Sequence, residues 1–511
     1  MSLFISAFIR AQDLAIYPAP GGSLLNDDFS VKVRRPGQQW QELSVYLVKV
    51  DQVKDARHSL QQSSMAYFDF SGTVEVSVTY NKGAIGSARI RPLSAGISPV
   101  VKGRTVSLSL SGPCNLSLEI DGDIFHNLQL FAGAVESDRP NPADTNTLYY
   151  GPGMHQVGTV SVPSGKTVYI AGGAVVQGQF LVSHAENVRI IGRGILCQYP
   201  ITPGSPVKNA VAPAGKVRNW AKPPQDERRS RHDALLVEFS KNVEISGITV
   251  LPTTYTVLAG NSQHVRIRDI KSFSAGGNND GIDLFCCRDV VVDRVFMRNS
   301  DDNIAIYGHR WDYYGNTKDV TVSNSVLWAD VAHPILVGTH GDPADPDTLE
   351  DMKFMNLDIL DQAEAQVGYQ GCMSINAGDA NLVRNVRFED IRVGDIREGQ
   401  LVNLRVMYNR KYNTAPGMGI ENVYFKNISY SGSRANLSMI AGYDSVRSIR
   451  NVVFENLQIN GRLIWDAMPG KPAWYQTGDL AHFFVGEHVE GVKFISTIDG
   501  MGPGGKAAPA K

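Results

Sequence analysis

Cysteine is scarce in this chain of 511 residues. The five present, Cys114, Cys197, Cys286, Cys287 and Cys372, are too few and too scattered for a disulfide framework. Cys286 and Cys287 sit in an apolar run and read as small core residues. An excess of either charge is also missing. The 49 basic and 51 acidic side chains leave a net charge of −2, with no basic stripe for nucleic acid and no acidic tail. No apolar run approaches the ~20 residues of a membrane span. Met1 to Arg10 lacks a basic leader before its short apolar stretch, so no signal peptide is expected there. The sequons at Asn115, Asn427 and Asn436 matter only in a eukaryotic secretory pathway. Helical periodicity is hard to find anywhere. Glycine, at 49 residues, and 43% apolar side chains describe a turn-rich protein with ample core instead.

Two patterns divide the chain. Residues 1–145 carry short alternating runs between turn signals, such as Ser30-Val-Lys-Val-Arg34, Gly72-Thr-Val-Glu-Val-Ser-Val-Thr79 and Thr105-Val-Ser-Leu-Ser-Leu110. Period-2 alternation at this spacing predicts an antiparallel β-sandwich domain, in which no chemistry is evident. Over 146–511 one unit recurs: Asn or Asp, then an apolar residue, then further alternation. Asn187-Val-Arg-Ile, Asn242-Val-Glu-Ile, Asp289-Val-Val-Val, Asn385-Val-Arg-Phe and Asn451-Val-Val-Phe are examples. The apolar position recurs at 188, 243, 265, 290, 320, 352, 386, 423, 452 and 492. Strands at such intervals with no helices between them predict a solenoid of the parallel β-helix kind, with about 22 residues in a minimal coil. A propeller would need four strands per unit. Stacked asparagines are expected to form ladders at the turns.

Against this repeat, the window Asn278 to Tyr307 is unusual because it sets Asp280, Asp283, Asp301 and Asp302 among buried strands. Carboxylates are rarely buried unless paired or ligating. Asp280 and Asp301 are 21 residues apart, one coil, which stacks the first over the Asp301–Asp302 pair on neighbouring rungs about 4.8 Å apart. Mutual repulsion should then raise at least one pKa. This is what glycosidic hydrolysis needs: one protonated carboxyl for the leaving oxygen and ionised ones for a water. A calcium loop is the competing reading, but the EF-hand spacing is absent and no metal or organic cofactor is expected. Asp283 is expected to brace the turn. Once the loop insertion His309 to Lys318 is discounted, His333 falls on the next rung.

Asn278-Asn-Asp-Gly-Ile-Asp283, Ser300-Asp-Asp-Asn-Ile-Ala-Ile306 and His333-Pro-Ile-Leu-Val-Gly338 resemble the Asn-Thr-Asp, Asp-Asp and Gly-His-Gly signatures of the polygalacturonase family of glycoside hydrolases. The resemblance implies a right-handed parallel β-helix and an inverting hydrolase of an α-linked poly- or oligosaccharide. It makes Asp301 the acid, has Asp280 and Asp302 hold the water, and has His333 tune or orient the acid. The family's Arg-Ile-Lys clamp for galacturonate is matched by Ser374-Ile-Asn376, which points to a neutral sugar. In that respect the chain is similar to the sister dextranase and isopullulanase family, which also carries an N-terminal sandwich. Arg405, Arg410 and Lys411 are the groups that could restore an anion site for a pectic substrate. A non-catalytic, tailspike-like glycan binder is the other alternative. Substrate contacts are expected from Asn278, Asn279, Tyr307, Trp311, Tyr313, Tyr314, His340, Tyr369 and Asn376, with Trp220, Tyr408 and Trp474 as further aromatic candidates. The resemblance also implies a secreted or periplasmic protein, a monomer or weak homo-oligomer.

Overall fold

The computed structural model describes residues 13–54, 57–199 and 233–498. The Gln198 to His232 insertion, with Trp220, lies almost wholly outside them. The chain clusters into two units. The first comprises 1–48 and 62–141, the second 49–61 and 142–511. The second unit therefore takes in the tip of the hairpin formed by strands Tyr46–Lys54 and Arg57–Phe70.

The first unit holds two β-sheets around a core that includes Val31, Val33, Phe68, Val76, Val106 and Leu128. Its pairings are antiparallel, except that Asp123–Ala134 runs parallel to Arg57–Phe70. That pair sits mid-sheet, buried on both faces as parallel strands require.

The second unit is a parallel β-helix. Every apolar position of the repeat stacks on the next, from Val188 through Val243, Val265, Val290, Val320, Met352, Val386, Val423 and Val452 to Val492. Further in, Phe354, Phe388, Phe425, Phe454 and Phe494 form a column with centroids 4.6–4.9 Å apart. The coil length varies, and the register does not, because a slip of one residue would turn every core side chain outward.

The residue before each of these positions explains the Asn/Asp signal. Asn187, Asn242, Asp289, Asp351, Asn385, Asn422 and Asn451 all have φ between 50° and 59°, the left-handed region that Asn and Asp tolerate. Their side chains bond along the axis: Asn422 Nδ2 donates to Asn385 Oδ1 and Asn451 Nδ2 to Asn422 Oδ1, each at 3.1 Å. A second ladder links Asn324 to Asn356 and Asp390 through Asn427 to Asn456.

Cys197, Cys286, Cys287 and Cys372 are buried, and all five cysteines are free. Among the described residues no helix is long and apolar enough to cross a membrane.

Asn422→Ala, which loses two ladder bonds and leaves a Cβ residue at positive φ without side-chain help, should cost about 2 kcal/mol. Asn422→Gly should cost about half of that, because glycine relieves the strain. Denaturant midpoints should therefore fall in the order wild type, Gly, Ala; equal midpoints for the two variants would remove backbone strain as the reason for asparagine here.

Candidate active site

One sheet of the β-helix carries the site. Its strands Val257–Gly260, Ile282–Phe285, Ile304–Tyr307, Ile335–Gly338, Met373–Ala377 and Val402–Val406 pair in register. The turns entering the second, third and fourth of these strands hold Asp280, Asp301 with Asp302, and His333. The backbone locks those turns together. Thr256 N donates to Asp280 O, Gly281 N to Asp302 O, and Asn303 N to His333 O. Gly281 is required there, since a Cβ would collide with the Asn303 carbonyl.

Asp280, Asp301 and Asp302 each offer a carboxylate oxygen within 4.8 Å of the others. Their surroundings differ. Asp302 accepts from His333 Nδ1 at 2.7 Å, from His333 N at 3.1 Å and from the Tyr307 hydroxyl at 3.1 Å. Asp301, half-buried, accepts only backbone amides, from Asn278 at 3.2 Å and from Asp302 at 3.2 Å. Burial, then the Asp302 charge, pushes the Asp301 carboxyl up to about 7. Burial and the charges of Asp283, Asp301 and Asp302 hold Asp280 well above the usual carboxylate range.

His333 is fully buried. Its Nδ1 faces Asp302 and its Nε2 donates to the Tyr369 carbonyl, so both ring nitrogens meet acceptors. Burial alone would lower its pKa. The Asp302 charge and hydrogen bond overcome that and raise it to about 8. The hydrogen bonds of His333 thus go to Asp302 and not to Asp301, the acid it was expected to orient.

Asp283 also departs from expectation. It is fully buried, makes no hydrogen bond that braces the turn, and has its carboxyl pushed well up, by burial first and then by the Asp302 charge. It is a fourth member of the cluster. Arg310, absent from the sequence-based site, faces Asp280 and Asp283. Its guanidinium lies 4.4 Å from the Trp311 ring and about 6 Å from Phe285 and Tyr307, and it makes no ion pair among the described residues.

The expected sugar-contacting residues separate into groups. Asn278 is exposed beside Asp301, whereas Asn279 is buried and ties Nδ2 to the Ala275 carbonyl. Tyr307, Tyr313 and Tyr369 are buried in an aromatic layer with Phe285, Leu336 and Met407, which covers the apolar outer face of this sheet. Tyr313 is committed to Glu238 through its hydroxyl. Trp311 is half-buried at that layer's margin, and Tyr314 is exposed against His309. His340 meets Tyr307 edge-on. Asn376 is fully buried and donates to Ser374 Oγ, so neither reaches an open groove. Arg405, one rung beyond Asn376, is half-buried with its guanidinium on the Gly368 carbonyl. Trp474 and Tyr408 are exposed, with no contact to this cluster.

The family model of the glycosyl hydrolases of family 28 matches residues 210–467. Probable endopolygalacturonase D of Neosartorya fischeri is 25% identical over 228 residues, 44% of this chain and 43% of that one. Endopolygalacturonase B of Aspergillus niger is 25% identical over 208 residues, 40% of this chain and 52% of that one. The chain thus spans about half the length of the curated relatives it matches. Among solved structures, Dex49A from Penicillium minioluteum shares 13% identity at a TM-score of 0.57, covering 94% of this chain and 96% of that one, a likeness of fold.

Because Asp302 supplies most of what raises His333, Asp302→Asn should lower the imidazole from about 8, leaving only the Glu364 charge and the Tyr369 carbonyl against burial. Histidine-selective NMR titration reads this directly. An imidazole that titrates unchanged in the variant would detach His333 from Asp302.

Proposed function

Because the chain belongs to the glycosyl hydrolases of family 28, whose model matches half of it, we propose that it hydrolyses α-glycosidic bonds in a poly- or oligosaccharide. In this reading Asp301 is the general acid, and Asp280 with Asp302 holds the attacking water. The observation that carries the proposal is the three-carboxylate cluster with differentiated partners. Asp301 keeps its proton up to about 7, which suits donation to a leaving oxygen at neutral pH. Asp302, fixed by His333 and Tyr307, is the oriented acceptor for a water proton. His333 acts through Asp302 as a positioning residue.

In inverting enzymes the acid and base carboxyl groups usually stand ~6.5–9.5 Å apart. The cluster here is tighter, with carboxylate oxygens within 4.8 Å of one another, and the water is read as resting against Asp280 and Asp302 together. Proton NMR of the first-formed anomer decides the stereochemistry: the opposite configuration to the substrate supports inversion, and the same configuration overturns it. A polymeric glycan also implies work outside the cytoplasm.

The sugar at the reacting bond is read as neutral, since Ser374 and Asn376 are buried where the resemblance expects a uronate clamp, with the Gly371 backbone against Ser374. Arg310 supports a pectic second reading, because it is a cation beside the cluster without an ion-pair partner among the described residues. A panel of dextran, pullulan and polygalacturonate, read for reducing ends, separates them. The neutral reading expects release from one of the first two only. The pectic reading expects release from polygalacturonate, with Arg310→Ala raising KM at least tenfold. Inertness toward all three would sink the enzyme reading in favour of a glycan binder.

Two outcomes follow for the acid. Asp301→Asn should cut kcat by at least a thousandfold with the fold intact. A raised carboxyl is protonated below its pKa, so kcat/KM should be sustained below pH 7 and fall tenfold per unit above about 7. An alkaline limb far from 7 would remove Asp301 from the acid's role.

A further inference from the structure

A side chain from the hairpin tip also reaches this site. Asp51 is fully buried. Its amide donates to Asp330 Oδ2 at 3.3 Å, and its Oδ2 accepts the Gly276 amide at 2.9 Å and faces His58 Nδ1 at 2.6 Å. Asp330 is itself buried and held by Arg298, which donates at 3.0 and 3.1 Å and stacks on Trp328, and by Arg397. The hairpin tip is therefore fixed by a buried ionic network. The loop it grips, from Ser274 to Gly281, carries Asp280.

His58 is oriented by this carboxylate, with Nδ1 occupied. Its other nitrogen, Nε2, has no partner among the described residues, and the side chain is 45% exposed. The ring lies over Gly277, where a Cβ would come within 3.3 Å of Nε2, so the close approach depends on glycine. The neighbouring Asn278 amide is the one that donates to Asp301. The Asp51 hydrogen bond raises its pKa most, and the charges of Asp51 and Asp301 add to it against burial. The imidazole is thus at the Asp301 edge of the cluster, away from Asp302 and His333.

We propose that His58, held by Asp51 and protonated on both ring nitrogens, is a specificity-determining residue whose Nε2–H donates to a hydroxyl or carboxylate of the sugar on the leaving-group side of the scissile bond. The assignment of the side rests on the reading of Asp301 as the acid, since the acid stands next to the leaving oxygen. A carboxylate–imidazolium pair leaves one half-exposed N–H, that of Nε2, as a directed donor.

The test uses the Asp301→Asn full-length protein, with the histidine side chains observed by NMR, titrated with isomaltotriose and separately with trigalacturonate. One trisaccharide should shift the His58 and His333 resonances together, and His58→Ala in that background should weaken its binding about tenfold. A trisaccharide that moves His333 and leaves His58 still would overturn the proposal while the active-site reading stands. If neither signal moves with either sugar, both fall together. In the otherwise wild-type enzyme, His58→Ala should act mainly on KM, and His58→Gln, which keeps an N–H donor, should restore part of it. A matching loss of kcat in both variants would instead mark a structural anchor.

Discussion

The in-register pairing of successive rungs is the constraint on which everything else here depends. Strands Ile282–Phe285 and Ile304–Tyr307 pair residue for residue, Ile282 on Ile304 and Phe285 on Tyr307, and the same register carries Asp280 onto Asp302, with Asp301 one residue before it. The same hydrogen bonds that form the sheet fix the approach of the carboxylates, at the spacing of a parallel ladder. No flexible loop has to bring them together. Repulsion among them is opposed by a backbone whose register is held by dozens of buried apolar side chains, so the fold can keep like charges closer than they would otherwise stay.

Electrostatics then gives each carboxyl a different character. Asp302 collects three donors, Asp301 only backbone amides, and Asp283 none of ordinary geometry. Geometrically equivalent groups on adjacent rungs thereby become chemically distinct, which acid–base catalysis requires. A second ionic network, Asp51, Asp330 and Asp361 with Arg298 and Arg397, lies on the other side of the Ser274 to Gly281 loop. Buried ion pairs seldom add net stability, because desolvation offsets their attraction. Fixing where that loop sits is the better account of this one.

The solenoid was legible because its signal is periodic and local. Asn or Asp before an apolar residue records a left-handed φ at each turn, and the stacking of positions 188 to 492 follows from it. Asp280, Asp301, Asp302 and His333 were legible through coil length. The burial of Tyr307, Tyr313 and Tyr369 was not legible: Leu258, Ala305 and Leu336 make the outer face of the sheet apolar, and the rings cover it. Asp283 was given a turn's role because three residues from Asp280 suggests local bonding, whereas burial dominates it. His58 and Asp51 lay beyond reach, since no spacing in the sequence couples position 58 to position 277.

The substrate question comes down to how many cations the site has available. Arg405 stands one rung past Asn376, yet its guanidinium is spent on the Gly368 carbonyl, and burial lowers its pKa with no carboxylate to oppose that. Lys411 is bound to Gln366. Arg410 lies near the exposed Tyr408 ring, and Arg310 faces Asp280 and Asp283 across more than ion-pair distance. A uronate placed there would set its charge beside carboxyls that already repel one another and would have a single guanidinium to balance it. A neutral sugar adds no charge to the cluster, whose carboxyls Arg310 already tempers. Arg310 thus enters the charge balance of the cluster itself, and a substrate carboxylate would have to share it with Asp280 and Asp283.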